Sequence, residues 1–452
     1  MPVFTCRHSY NNITDMKDKK RIIILIGCIV LVIIAWASAI STTGAAERQL
    51  SLIAKAQELI NDGIYIYAVP LLEEAAGYNS LHTLNAENKL KEVYLYLIDN
   101  RGYARRYTNL LDKQMSRKDC TADIFMEAAE YYISTNAKQT AFEILRNAIA
   151  RTGNSEAADM YESYRYAYEI NRTAYDYVTA IYNQTAVVRQ NDSWGIANTD
   201  GTILIPCLYD KTSTFSQNRV IVEKSGIIYA VDGNNNRIAL ASGMVVDFKN
   251  LSENRVPVLI DDKWYRATGA FDIGENAFED LGMYHDGYTA AKINGRWGVI
   301  DIITNWLIPA QYDEIISDEL GRCYAQDAVF ARSGDEVYLY LKGIRLNNTY
   351  QDARPFSDEG YAAVKKDNKW GFIDTEGNIK IDYFYDDALS FGEHLAGVKI
   401  GQMWGYININ GRLVIDTVFV EAKSFSGGSA PVLTERGWQF ITLIEYKKGA
   451  TL

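Results

Sequence analysis

Three kinds of hydrophobic patterning succeed one another along the chain. Ile22 to Ile40 is an unbroken apolar run of nineteen residues without a charge. From about Leu50 to Tyr182 apolar positions recur every three or four residues, the period of an amphipathic helix. From about Val187 onward, short β-branched and aromatic runs alternate with polar positions and are divided by Asn, Asp and Gly turns, which predicts strands. The expected organisation is multidomain α and β: a tail over 1–21, a membrane helix over 22–40, all-helical repeats over 41–185, an all-β repeat array over 186–445 and a short tail over 446–452.

As a helix, the run 22–40 would span about 28 Å of a roughly 30 Å hydrocarbon core. Lys17, Lys19, Lys20 and Arg21 abut its start, and the neutral stretch from Ser41 to Ala46 follows it. The positive-inside rule then places the N-terminus in the cytoplasm and residues 41 onward outside, as a single-pass protein of the cell membrane. The alternative is a cleaved signal peptide, for which Ala37, Ser38 and Ala39 supply small residues, although the run exceeds the usual apolar core of about 7–15 residues.

Within the helical stretch one arrangement recurs. Gly63 and Tyr65 precede Ala68, Leu72 and Ala75; Gly102 and Tyr103 precede Tyr107 and Leu111; Asn136 precedes Ala141, Leu145 and Ala148. Small residues at these steps suit close helix crossings. The arrangement resembles the second half of a tetratricopeptide repeat, although the first helices lack the usual Trp. At the end of the stretch Tyr161, Tyr164, Tyr168, Tyr175 and Tyr182 follow at steps of three, four and seven, which predicts one helical face. Such a stripe either binds a peptide or carbohydrate or packs on the next domain.

The β half repeats more strictly. Trp194-Gly195, Trp297-Gly298, Trp370-Gly371 and Trp404-Gly405 open four units, and Trp264 and Trp438 open two weaker ones. Counted from each full Trp, position +11 is Ile205, Ile308, Ile381 or Ile415, and +15 is Tyr209, Tyr312, Tyr385 or Phe419. Position +21 is Phe215, Phe391 or Phe425, with Asp318 the exception. The gaps of 70 residues after Trp194 and 73 after Trp297 are twice the 34-residue spacing at the end, so each hides a degenerate unit. About seven units and a closing fragment at Trp438 result. This constellation resembles the WG-repeat family of bacterial proteins. The resemblance implies a β-rich repeat module, often joined to membrane anchors or tetratricopeptide-like helices, with no established catalytic residues. Stacked units of three or so strands either close into a propeller or run on as an open meander, and the sequence leaves both open. The Trp reads as a plate between successive sheets, and the Gly as room for a neighbouring backbone.

Charge and chemistry narrow the function. Of the net charge of -11, residues 1–21 hold +3, which leaves an acidic body with no basic cluster and excludes nucleic acid as the expected partner. Cys120, Cys207 and Cys323 are too far apart for a disulfide framework or a zinc ribbon. His82, His285 and His394 belong to no hydrolase motif, and Asn198 to Gly201 and Asp232 to Asn236 read as hairpin turns rather than calcium loops. No cofactor or metal is expected. The expectation is a membrane-tethered, non-catalytic scaffold that binds a protein, peptide or cell-wall glycan. The competing reading is a hydrolase of glycosidase type on a propeller, with candidate carboxylates at Asp261, Asp262, Glu279, Asp280, Asp386 and Asp387. It would require carboxylates that converge in a cavity.

Overall fold

A computed structural model describes residues 44–446. The run 22–40, the tail 1–21 and nearly all of the tail 446–452 lie outside the described residues, and with them the expected membrane helix. Among the described residues no helix is long and apolar enough to cross a membrane. The described chain divides into two compact units, one holding residues up to 136 with 147–157, the other 137–146 with everything from 158 onward.

Seven helices come first: 44–61, Tyr65–Ala76, Thr83–Tyr96, Tyr103–Met115, Ala122–Ser134, Lys138–Thr152 and Ser155–Tyr164. Every second one follows a residue in the left-handed region, Gly63 at φ 74°, Gly102 at φ 92° and Asn136 at φ 60°. These residue types tolerate that region best, so the chain reverses there at little cost. Ala68, Leu72, Ala75, Tyr107, Leu111, Ala141, Leu145 and Ala148, the small and apolar positions of the sequence pattern, are all buried.

Polar networks join the helices of the first unit, from a surface one at Glu73 to a fully buried one at Glu87. Glu73 accepts hydrogen bonds from Tyr94 Oη at 2.6 Å and Arg106 Nη1 at 2.9 Å. Glu127 accepts one from Tyr107 Oη at 2.9 Å and pairs with Lys91. Glu87 is fully buried and holds Arg117 at 2.5 Å, Lys113 at 3.0 Å and Gln114 Nε2 at 3.2 Å. Burial works to raise the Glu87 pKa, but the hydrogen bonds from Arg117, Lys113 and Gln114 outweigh it and hold the carboxyl below its ordinary value of 4.5.

The helical expectation for 41–185 ends early, at Tyr164. Beyond it lie eight antiparallel four-stranded sheets, the blades of a closed propeller. Blade 6 shows the plan, with a two-residue innermost strand Asp352–Ala353 followed outward by Tyr361–Lys366, Lys369–Asp374 and Ile379–Tyr385. Blades 2 and 5 are the two degenerate units, with Ile228 and Val337 where the Trp would stand. Asp232 and Asp374 end third strands and accept backbone N–H groups two or four residues on, so these acidic segments are hairpin turns.

Closure settles what the sequence left open. The fragment at Trp438 is an eighth blade of Glu421–Ala422, Ser429–Thr434 and Gly437–Leu443, and its outermost strand is Tyr168–Ile170 from the other end of the propeller. Asn171 fastens this clasp. Its N–H donates to Phe440 O at 2.9 Å, its Oδ1 accepts Phe440 N–H at 2.8 Å, and its carbonyl accepts Gln439 Nε2 at 2.7 Å. Asn171→Ala strands the Phe440 N–H and is expected to cost about 1–3 kcal/mol. Amide exchange should then quicken first along 437–443, and unchanged exchange there would refute the role.

Candidate functional site

The Trp of each unit is the second residue of a third strand, at Trp194, Trp264, Trp297, Trp370, Trp404 and Trp438. Each packs toward the next blade: Trp370 clusters with Ala388, Ala396 and Val398, and Trp438 with Val178, Ala186 and Val188 across the closure. Five of the six carry a cation over the ring, among them Lys249 over Trp264 at 4.5 Å, Arg354 over Trp370 at 4.8 Å and Lys423 over Trp438 at 5.2 Å. Gly195, Gly298, Gly371 and Gly405 stand against the backbone of their own outermost strands. These residues build the blades, and of them Trp404 also reaches the wall of the cavity.

The cavity, of about 540 Å³, is at the propeller axis and is walled by the connections between innermost and second strands. Six blades make that connection in six residues, blade 6 in seven and blade 5 in twelve, from Ile316 to Asp327. The extra residues fold into the axis as a plug. Asp318 Oδ1 accepts the N–H groups of Leu320 at 3.0 Å and Arg322 at 2.9 Å, which ties the turn. Gly321, at φ 94°, completes it. Leu320 is buried, and its carbonyl accepts Asn250 Nδ2 of blade 3 at 2.9 Å. The Gly321 carbonyl accepts Met283 N–H of blade 4 at 3.0 Å. On the far side Glu319 accepts the Ala180 N–H of blade 1 and pairs with Lys423 of blade 8. Lys423 lies over the rings of both Tyr177 and Trp438, at the seam where the circle closes. One insertion therefore touches four other blades.

The remaining space lies beside the plug. Its wall includes Arg354, Ser357, Asp358 and Glu359 of blade 6, Asp387, Ser390 and Glu393 of blade 7, and Glu421 and Ser424 of blade 8. Neighbouring connections are stitched together. Glu359 Oε1 accepts His394 N–H at 2.7 Å, Glu393 Oε1 accepts Gly427 N–H at 2.9 Å, and Ser424 Oγ donates to Ser390 O at 2.9 Å. Arg354 Nη2 pairs with Asp387 at 3.3 Å. Arg354 Nε, Ser357 Oγ and Glu359 Oε2 are buried atoms without a hydrogen-bond partner, and Glu359 Oε2 stands 3.4 Å from His394 Nδ1.

The tyrosine stripe is not one helical face. Tyr161 and Tyr164 are in the last helix, Tyr168 is in the clasp strand, and Tyr175 and Tyr182 form isolated bridges to Trp438 and Thr185. Burial and the hydrogen bond to Glu445 push the Tyr161 hydroxyl up to about 12. Tyr168 packs on Phe419, and Tyr175 Oη donates to Gly201 O at 2.8 Å. The three- and four-residue steps arise from a helix end running into strands. Of the proposed carboxylates, Asp261 and Asp262 form a left-handed turn, Glu279 accepts Gly295 N–H, Asp280 pairs with Lys249 and Asp386 with Lys369. Asp387 alone of that set lines the cavity. Sequence reasoning missed the plug, whose one visible sign was Asp318 breaking the +21 position. Among the described residues no group of three or more His, Cys, Asp or Glu is placed to hold a metal ion.

No curated protein matches the chain. Among solved structures it is similar to KlHsv2 with loop 6CD replaced by a Gly-Ser linker, at 12% identity and a TM-score of 0.35 over 60% of this chain and 94% of that one. It is also similar to the WD40 domain of SCAP from fission yeast, at 8% identity and a TM-score of 0.36 over 61% and 97% of the two chains. A third is the extracellular domain of the putative one component system BT4673 from B. thetaiotaomicron, at 7% identity and a TM-score of 0.32 over 60% of this chain and 40% of that one. At these scores the likeness adds nothing to the fold described above. A family model described as "WG containing repeat" matches residues 194–226, 297–319, 349–370, 370–403 and 404–438, and the propeller of this chain is a WG-repeat propeller.

Proposed function

We propose that the chain is a non-catalytic interaction scaffold, tethered to the cell membrane by residues 22–40 with its N-terminal tail cytoplasmic and its body outside. Its propeller takes a protein or peptide at the axial cavity. The observation that carries this reading is the cavity itself, of about 540 Å³ and walled by connections that are stapled blade to blade. A rigid rim with a few inward polar groups is the usual form of a binding site. The tether rests on the uncharged run and the basic residues before it.

A hydrolase reading has one observation in its favour, because seven carboxylates line the cavity. Six of them already have work: Asp318 holds Arg322, Glu319 and Glu421 pair with Lys423, Asp387 holds Arg354, and Glu359 and Glu393 accept backbone N–H groups. Carboxylates engaged in holding neighbouring connections together are not free to approach a substrate as acid and base. The binding reading accounts for more of these groups.

The test is capture by the full chain, extracted in detergent and immobilised, from extracytoplasmic proteins and from cell-wall polysaccharide. A glycosidase and peptidase substrate panel is run on the same sample. Ser357→Trp puts a large ring into the cavity and is expected to lower saturable capture of a protein partner by about tenfold or more. Capture that ignores this substitution would move the site elsewhere. Turnover lost in Asp358→Asn or Glu393→Gln would make the propeller an enzyme.

A further inference from the structure

The first unit exposes a hydrophobic tip where nothing in its own fold calls for one. Leu81 is 96% exposed, and Leu84 and Leu50 are about half exposed beside it in the chain or in the fold. Leu81 belongs to the connection 77–82 between the helices Tyr65–Ala76 and Thr83–Tyr96. That connection is folded over the first turns of the helix 44–61. Gln49, which is fully buried, donates to Ala75 O at 2.7 Å and to Thr83 Oγ1 at 3.4 Å, and it also contacts Ser80. Arg48 pairs with Glu74 at 2.9 Å. Leu81 therefore sits at the end of the unit from which the chain runs back toward residue 40.

The distances are short. Gly44 lies five residues before Gln49, about 7.5 Å of helical rise. Ile40, the last residue of the apolar run, lies four residues before Gly44, at most about 14 Å of chain. The connection itself carries no charge, while the Arg48–Glu74 pair stands beside it and Arg117, held by Glu87, lies at the same end of the helices. From Gly77 to Ala86 there is no Asp, Glu, Lys or Arg, and Tyr78 is among these residues. The opposite end of the same helices also exposes apolar side chains, Ile64, Ile66, Tyr67 and Tyr96, but sets them among Asp62 in one connection and Asp99 with Arg101 in another. An uncharged stretch with an exposed Leu and a nearby Tyr matches what settles into the headgroup layer of a bilayer.

We propose that the connection 77–82 is a membrane-contacting tip, with Leu81 inserted into the headgroup layer of the bilayer that the run 22–40 crosses. The proposal rests on the tether reading and adds a second contact to it. A single span leaves the body free to swing, whereas a tip beside the span fixes which end of the helical unit faces the lipid. The burial of one or two Leu side chains is too weak to anchor a protein alone, but next to a span it acts within one molecule.

The test uses the full chain in vesicles of phosphatidylcholine and phosphatidylglycerol, with a photoreactive benzophenone amino acid at position 81 or, as the comparison, at position 67. Tyr67 is 68% exposed on the first turn of the helix Tyr65–Ala76, at the end remote from Leu81, so neither replacement disturbs a core. Alkaline washing reports the tether, and lipid adducts after irradiation report the tip. The expected result is a chain that resists washing and forms about tenfold more lipid adduct from position 81 than from position 67. Resistance to washing with equal adducts at the two positions would overturn the tip and leave the tether standing. Release by washing would overturn the tether and the tip together.

Discussion

Gly371→Val is expected to destabilise the propeller by about 3 kcal/mol or more, a cost at the top of the usual range for overpacking. A Cβ at position 371 would lie 2.7 Å from Ile381 O and 3.0 Å from Asp382 C, both backbone atoms. The same contact is 2.5 Å at Gly195, 2.4 Å at Gly298 and 2.5 Å at Gly405. Its origin is the pairing of the outer two strands. Trp370 pairs with Tyr385 and Phe372 with Ile381, and the register shifts between them, so the outermost strand bulges against Gly371. Blades 2, 3 and 5 have Tyr229, Tyr265 and Tyr338 at this position, and there the residue pairs in register with Leu240, Ala277 or Thr349. Gly is thus demanded by the bulge. The comparison is Gly226→Asn, in a left-handed turn at φ 74° with nothing near the added Cβ, which should stay within about 0.5 kcal/mol of the parent. Urea unfolding followed by Trp fluorescence checks both. A Gly371→Val midpoint indistinguishable from that of Gly226→Asn would sink the argument.

That bulge also explains why the β half could be read from sequence so far. In the four full units one Trp, one Gly and one Tyr or Phe answer to fixed contacts, so their spacing survives along the chain. Where other residues meet the same need, as Ile228 and Val337 do, a blade is visible only as a gap of double length. The clasp was not legible because Tyr168 pairs with Leu443, and no local pattern encodes a partner so far along the chain. Instead, residues 161–182 imitate a helical period by accident of spacing, and the predicted helix overran into strands. The plug hid for a different reason. It is an insertion, and an insertion shows in a repeat only as a broken position, here Asp318 in place of Phe. The cavity followed the plug into obscurity, since its wall comes from connections whose sequences vary from blade to blade. The helical unit was legible in its turns, where Gly63, Gly102 and Asn136 take conformations few residues accept.

In the helical unit the largest effect is expected from Glu87→Gln, which removes the one charge that Arg117 and Lys113 share in the interior. Breaking a fully buried pair costs about 3–5 kcal/mol; here the two cations are partly exposed and can turn to water, so about 2–3 kcal/mol is expected. Its pH dependence gives the sharper test. The folded pKa of Glu87 lies below its ordinary value of 4.5, so the ionised group stabilises the fold fully above 4.5 and loses that contribution as pH falls through the folded value. Gln cannot titrate. The deficit of the variant should therefore be full at neutral pH and shrink steadily below 4.5, because the parent weakens while the variant does not change at this position. Urea unfolding followed by the helical circular dichroism signal, repeated down the acid range, separates this unit from the propeller. A deficit that stays constant with pH would show that Glu87 contributes shape and hydrogen bonding rather than charge, and would refute the ionised network as the source of its stability.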